Sequence, residues 1–555
     1  MMKNLSMHLS AAIAATALAA LPAGSRARVT TCTTTACAVG AALVARAARA
    51  RTQLAPCITA LAASFANAPA ATVLAVAVRL LIAVLATGCA AGPDFVRPAA
   101  PTVTGYTAAP LPAVTASAPV AGGEAQHYAE GEAVSAQWWT VFSSDDLNQL
   151  VAAALQANPD LQAANAALRA ANETAAAQRG AFLPTADLHL QPSRQRVADT
   201  LSSPTASGAN LYTLHTAQLS IGYTPDVFGA TRRQVEAADA QTDLARYQRD
   251  AARLTLTTSI VNAAIGEAAL RAQLDAMQQQ ATMARQQLDA VRKQQQAGQL
   301  GAADVAAQEA ALAQVEATLP PLQKQLAQQH NLLSALAGRY PSEGIAEHLD
   351  FSKLTLATEL PLSLPAQLVE QRPDIRAAEA QLHAASAQIG IAAAARLPNI
   401  ALTGTLGSSA LSAGTLFKSG GGFWSIGADL AQPLFHGGTL LHQQRAAEAS
   451  YDQAAAQYRS TVLTAFQNVA DTLHAIDADA QSLRAAAAAE QAAHKSWSIA
   501  QRQWQLGLTG YPPVLQAGQA WQQASIALIQ AKASRYTDTV ALYQALGGGW
   551  QSNAQ

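Results

Sequence analysis

The chain has 555 residues with nearly balanced charge, Lys+Arg 35 against Asp+Glu 36, and a half-apolar composition in which alanine is prominent. This balance gives no electrostatic reason to expect a nucleic-acid partner. Alanine buries little surface per residue, so a large greasy core is not implied either.

Before Asp94 there is no acidic residue, while Lys3, Arg26, Arg28, Arg46, Arg49, Arg51 and Arg79 are present, as are Cys32, Cys37 and Cys57. That is leader composition. Arg79 precedes an apolar run that ends in Ala86-Thr-Gly-Cys89, which resembles a bacterial lipobox, although the leucine lies one place early. The reading is a cleaved leader at residues 1–88 and a lipidated Cys89; the alternative is a short apolar helix ending in a chance cysteine, too short to span a bilayer. An 88-residue leader exceeds an ordinary signal peptide, which points to a start further in. No methionine lies between Met7 and Cys89, so that start would be a non-Met codon. No cysteine follows Cys89, so the exported chain would carry no disulfide.

Residues 89–135 are rich in Pro, Ala, Thr and Gly without periodicity, which predicts an extended tether. Order is predicted from Trp138-Trp139 onward, in an N-terminal segment 136–158. There Ser144 caps a helix carrying Leu147, Leu150, Val151 and Leu155 at helical spacing. A second helix ends at Leu183-Pro184. Between 184 and 228 the period changes to two, through Leu188, Leu190, Leu219, Ile221 and Tyr223, around a polar loop. A long helix at 229–297 and a return helix at 302–338 follow, joined by Gly298-Gln-Leu300-Gly301. Pro320-Pro321 is a potential kink. A linker at 339–372 separates this unit from 373–550, which repeats it. The repeat has a helix from Pro373, a hairpin at 398–436, a long helix at 438–506, a turn at Gly507-Leu508-Thr509-Gly510 and a return helix at 511–546. A tail at 551–555 closes the chain.

The two units keep register. Pro159 and Pro184 recur as Pro373 and Pro398 at one offset; Gly229, Gly298 and Gly338 recur as Gly438, Gly507 and Gly547 at an offset five shorter. Ordered landmarks with a single shift indicate duplication. The shift lies in the hairpin, whereas the long-helix spacing is equal in both copies. At 1.5 Å per residue such a helix reaches about 100 Å, wider than a compact domain.

Four strands of roughly ten residues cannot close on themselves, so closure requires partner chains. Their length and alternation, with Tyr212, Tyr223, Phe423 and Trp424, fit a tilted bilayer crossing. The alternative is a small soluble hairpin packed on helices. The Ala- and Gln-rich helices suit a ring of close-packed rods around water more than a free-standing coiled coil, which would not explain the hairpins between them.

Several segments carry a family resemblance: Cys89-Ala-Ala-Gly-Pro-Asp-Phe95, Trp138-Trp139 with Phe142, and Tyr223-Thr-Pro-Asp226-Val-Phe228-Gly229. Further along come Gln371-Arg372-Pro373-Asp374-Ile375-Arg376, Gln432-Pro433-Leu-Phe435-His-Gly437-Gly438 and Leu542-Tyr-Gln-Ala-Leu-Gly547-Gly-Gly-Trp550. In this order they resemble the outer-membrane factor family, the TolC-like channel-tunnels of tripartite efflux systems, in its NodT-like lipoprotein branch. The resemblance implies a mostly α fold with a transmembrane β-barrel. Three protomers would build a 12-stranded barrel and an α-helical periplasmic tunnel, lipid-anchored in the outer membrane at Cys89. It implies a passive duct for small toxic compounds, working with a periplasmic membrane-fusion adaptor and, through it, an inner-membrane pump. Gly298, Leu300, Gly301, Gly507, Leu508, Thr509 and Gly510 would form the tip that meets the adaptor.

Many family members carry aspartates after the second turn, lining a closed aperture; here Pro513 and Gln516 stand in those places and only Asp304 remains in the first repeat. Asp304 fits equally a helix N-terminal residue favoured by the dipole. Tyr511 and Gln516 complete the aperture candidates, with packing of Tyr511 and Leu508 the expected substitute for salt links. A duct for one-step protein secretion, or a lipid-anchored periplasmic scaffold without a pore, are the other readings. No catalytic set, metal-ligand spacing or cofactor motif is found: the histidines are scattered, and Gly547-Gly-Gly549 follows a helix where a phosphate cradle would open one.

Overall fold

The computed structural model describes residues 90–550, apart from 111, 202–204, 206–207 and 348. The expected leader at 1–88, Cys89 and the tail at 551–555 lie outside the described residues. The elements in order are β1 (His127–Glu130), α1 (Asp145–Ala157), α2 (Pro159–Arg179), β2 (Thr185–Arg196) and β3 (Leu211–Tyr223). Then come α3 (Ala230–Gln296), α4 (Ala302–Leu336), β4 (Glu359–Leu362), α5 (Pro365–Gln371) and α6 (Pro373–Ala394). β5 (Asn399–Ala410), β6 (Gly422–Ala431), α7 (Thr439–Gln505) and α8 (Pro512–Ala545) complete the chain. These fall into two units, one of strands around Ala186–Ala230 and Leu397–Gln432, the other of helices.

In the helical unit, α3 and α7 are each 67 residues long, and their return helices α4 and α8 are 35 and 34. Local chemistry sets where the shorter helices begin. The Ser144 hydroxyl accepts the Leu147 N–H at 3.3 Å and the Asn158 side chain accepts that of Leu161 at 3.1 Å, while Pro159, Pro365 and Pro373 supply first-turn positions where no N–H is needed. Pro320 and Pro321 lie inside α4, which continues through them.

Packing varies along each rod. On α7 the buried residues Val469, Leu473, Ile476, Ala480, Leu483 and Ala487 recur every three or four positions, the seam of a two-helix contact. In α3, by contrast, Ile260, Val261, Ala263, Ala264 and Ile265 are all buried, so this stretch is enclosed on every side. It joins Trp138, Phe142, Leu147, Leu333, Leu360, Val469, Tyr536, Val540 and Tyr543 in the main core.

Two segments predicted as connectors take part in that core. The tether expected over 89–135 is extended but docked: β1 pairs in parallel with β4, from His127 opposite Glu359 to Glu130 opposite Leu362. Gln126 in the same segment is fully buried, its side-chain amide donating to Ala357 O at 2.9 Å. The linker expected over 339–372 buries Ile345, Leu349, Phe351, Leu354 and Leu360. Each carries apolar residues at irregular spacing, which have no periodic signature but can still fill gaps between helices.

In the strand unit the sheet order is β2-β3-β5-β6, and the β3–β5 and β5–β6 pairs are antiparallel. Register sorts the side chains. Leu219 lies opposite Leu406, which lies opposite Trp424; Tyr223, Leu402 and Ala428 form a second such row, and Ile400 with Leu430 a third pair. The alternate residues form the other face, where Ser220 meets Thr405 and Thr405 meets Ser425, their hydroxyls 2.6 Å apart. One face is therefore an apolar band and the other is polar apart from Phe423, which lies opposite Gly407 on the Thr405 face and not, as its place among the expected lipid-facing aromatics implied, beside Trp424. The band is bare: Trp424 is 72% and Ile426 83% exposed. Among the described residues no helix is long and apolar enough to cross a membrane.

Candidate functional site

The helical unit brings its two glycine turns together at one end. Both have the same geometry. Gly298 and Gly507 each have φ of 72°, a left-handed conformation that favours glycine. The Gly298 N–H donates to Gln295 O and the Gln299 N–H to Gln294 O; Gly507 and Leu508 donate equivalently to Trp504 O and Gln503 O, all at 2.9 Å. This pair of hydrogen bonds satisfies carbonyls left open at the helix end and turns the chain sharply. Open space surrounds both glycines, so backbone angle rather than packing requires them.

After the turns the copies diverge. The first return helix starts at Ala302, and in its first turn the Asp304 carboxylate accepts the Gly301 N–H at 3.1 Å while the Asp304 N–H donates to Gly301 O at 3.2 Å. The second starts on Pro512 and Pro513. Asp304 is thus a cap in this structure. Asp304→Ala is expected to weaken the start of α4 by about 1 kcal/mol, read as faster amide exchange over 302–306 with the Gly507 turn unchanged; equal exchange in both proteins would refute the capping role.

Of the other aperture candidates, Tyr511 is 1% exposed, whereas Gln516 is exposed and Leu508 is 73% exposed. Tyr511 and Leu508 therefore do not pack as a pair within one chain. The Tyr511 ring meets Trp504 edge-on at 5.1 Å between centroids and lies in a small core with Val291, Ala500 and Val514, against which Leu300 packs. Its hydroxyl donates to Gln308 Oε1, and burial pushes its pKa far above the ordinary tyrosine value. Gln308 is itself buried and donates to Ala284 O at 2.9 Å. Sequence reasoning missed Gln308, one glutamine among many. Outside this core, Arg285 pairs with Glu316 and Arg292 with Glu309, each at 2.7 Å, tying α3 to α4.

Arg372-Pro373-Asp374 opens α6. The Arg372 guanidinium grips the Asp374 carboxylate at 3.0 and 2.8 Å and donates to Ala545 O at 2.9 Å, a positioning role between helices. Gly549 has φ of 66°, and a Cβ there would lie 2.3 Å from Val134 O, so the chain beyond α8 closes tightly on the segment before Trp138.

Comparison with known proteins agrees with this geometry. The family model for outer membrane efflux proteins matches residues 150–339 and 364–548, one match per repeat. The chain is 31% identical over 466 residues to the probable efflux pump outer membrane protein TtgC of Pseudomonas putida, covering 83% of this chain and 93% of that one. It is also similar to the outer membrane protein VceC of Vibrio cholerae, with TM-score 0.69 and 31% identity over 75% of this chain and all of that one. The Campylobacter jejuni CmeC outer membrane channel shares the fold, with TM-score 0.74 and 23% identity over 83% of this chain and 95% of that one. With both of its repeats matched and its relatives covered nearly end to end, the chain belongs to the outer membrane efflux protein family.

Proposed function

We propose that the chain is one protomer of a homotrimeric outer-membrane duct that passes small toxic compounds outward from a periplasmic adaptor and an inner-membrane pump. One observation carries this reading. A single chain holds two helical rods of equal length together with a four-stranded sheet that has one apolar face, one polar face and open edges at β2 and β6. Three copies supply twelve strands, enough to close a barrel with the apolar band toward lipid and the polar face toward water. The efflux name carried by TtgC favours small-compound export over one-step protein secretion. In this reading Cys89 is the lipidated N-terminus, and Gly298, Leu300, Gly301, Gly507, Leu508, Thr509 and Gly510 present the tip to the adaptor. Leu508, exposed in one protomer, is placed to meet its counterparts across the closed aperture while Tyr511 holds its turn from behind.

Detergent-extracted protein is expected to run as a heat-sensitive trimer and to conduct in planar bilayers. A non-conducting protein that becomes a soluble monomer after Cys89→Ala would replace the duct by a scaffold. Gln516→Asp is expected to introduce block by divalent cations, because it adds one carboxylate per protomer at the aperture; unchanged block would remove Gln516 from the gate.

A further inference from the structure

The cavities of the helical unit offer little uncommitted charge, Asp275 in one and Arg253 in another being without an ion pair among the described residues. The one between the two hairpins is lined by glutamines, Met283, Trp497 and Trp521, and in the one beside Trp550 Arg246 is paired with Asp243 and Arg249 with Asp250. A different site stands out on the contact between α7 and α8. Asp479 of α7 has a buried Oδ2 with no hydrogen-bond donor in reach, and the group it meets is the carboxyl of Asp538 on α8. Two ionised carboxylates cannot bond to each other; one proton between them makes a bond.

We propose that Asp479 and Asp538 form a proton-operated clasp, which joins α7 to α8 while they share a proton and repels the two helices once that proton leaves. The surroundings favour the shared proton. Asp479 and Asp538 are each partly buried, with Ala478 exposed on one side and Ile476 and Ala480 on α7 and Thr539 and Val540 on α8 fully buried on the other. The cation that could hold both carboxylates ionised is Arg535 on α8; its Nε and Nη2 are engaged elsewhere, while its Nη1 is buried without a hydrogen-bond partner and the guanidinium opposes the shared proton only through its charge. Its guanidinium donates to Glu124 O at 2.5 Å and Thr115 Oγ1 at 3.2 Å, and faces Gln126 Oε1 at 3.4 Å. Of the other groups, the Glu124 carboxylate of the docked segment and Tyr128 of β1 interact with Arg535, and Asp477 of α7 adds negative charge beside Tyr128. Burial first, then the bond and charge of Asp538, raise the Asp479 carboxyl from 3.8 to about 7, with Arg535 only partly opposing.

The native state holds a proton that the unfolded chain has released, so the stabilisation is complete below about pH 4 and is lost as pH rises through about 7. This proposal does not depend on the chain acting as a duct.

The test uses the full-length protein in detergent, with thermal midpoints and hydrogen exchange measured between about pH 5.5 and 8.5. The wild-type midpoint is expected to fall by roughly 3 °C or more over this range. Amide exchange over 475–483 and 534–541, corrected for its intrinsic pH dependence, should rise over the same interval. In Asp479→Asn the amide donates permanently to Asp538, and both changes should flatten. Asp538→Asn makes the same substitution from the other helix and serves if the first variant does not fold. A wild type without pH-dependent exchange in these segments, or an undiminished pH slope in both variants, would overturn the clasp.

Discussion

Trp138→Ala is expected to lower stability by about 3–5 kcal/mol, the cost of emptying a fully packed aromatic site. Trp138 is 1% exposed, stacks on Tyr543 at 5.4 Å and 15°, and meets Trp139 edge-on at 5.9 Å. It therefore joins the short turn before α1 to the end of α8, and its loss removes both ring contacts and leaves a void that neighbouring rods cannot fill. Against a typical total of about 5–15 kcal/mol that cost is a fifth or more of the stability, enough to lower the thermal midpoint by many degrees. Trp138→Phe keeps a ring against Tyr543 and should cost less than half as much. Thermal denaturation of the pair decides the matter: an alanine variant melting within a degree or two of wild type would show that this aromatic stack is dispensable.

The second large effect concerns the strand unit. Ile426→Lys places an ammonium in the middle of the apolar band, opposite Gly404; on a lipid-facing surface that costs about 2–4 kcal/mol per strand near the bilayer centre. In the proposed trimer three copies fail at once, so the protein should be lost from the outer-membrane fraction. Ser425→Lys, one residue earlier, points to the polar face beside Thr405 and should leave membrane insertion intact while altering ion selectivity. Immunoblots of fractionated membranes compare the two. Equal abundance of both variants would contradict the assignment of faces, whatever the conductance.

The long rods were legible because glycines bracket them and the Ala/Gln stretches between hold almost no helix breakers. The strands were legible because Leu406, Trp424 and Ile426 alternate with Thr405 and Ser425 on opposite faces. What stayed hidden is non-local. β1 and β4 are four residues each, one of them containing Pro361, and they pair across more than two hundred positions. No short window can reveal such a match. At the tip, the turns could be read from Gly298 and Gly507, because a left-handed residue leaves a mark in composition. The burial of Tyr511 against Gln308 could not, because it depends on how two hairpins meet. Asp304 was legible as an acid but ambiguous in role until its carboxylate was found on the Gly301 N–H.

The equal length of α3 and α7 has a consequence for how such a chain can change over generations. A single inserted residue in one of them would advance its turn by about 1.5 Å and swing it by roughly 100°, so that Tyr511 and Gln308 would face different ways. Insertions there are tolerable only when both copies acquire them in step, or when whole turns are added. Drift in size is left to the hairpin loops, and the duplicated rods constrain each other's length as two blades of one pair of scissors do.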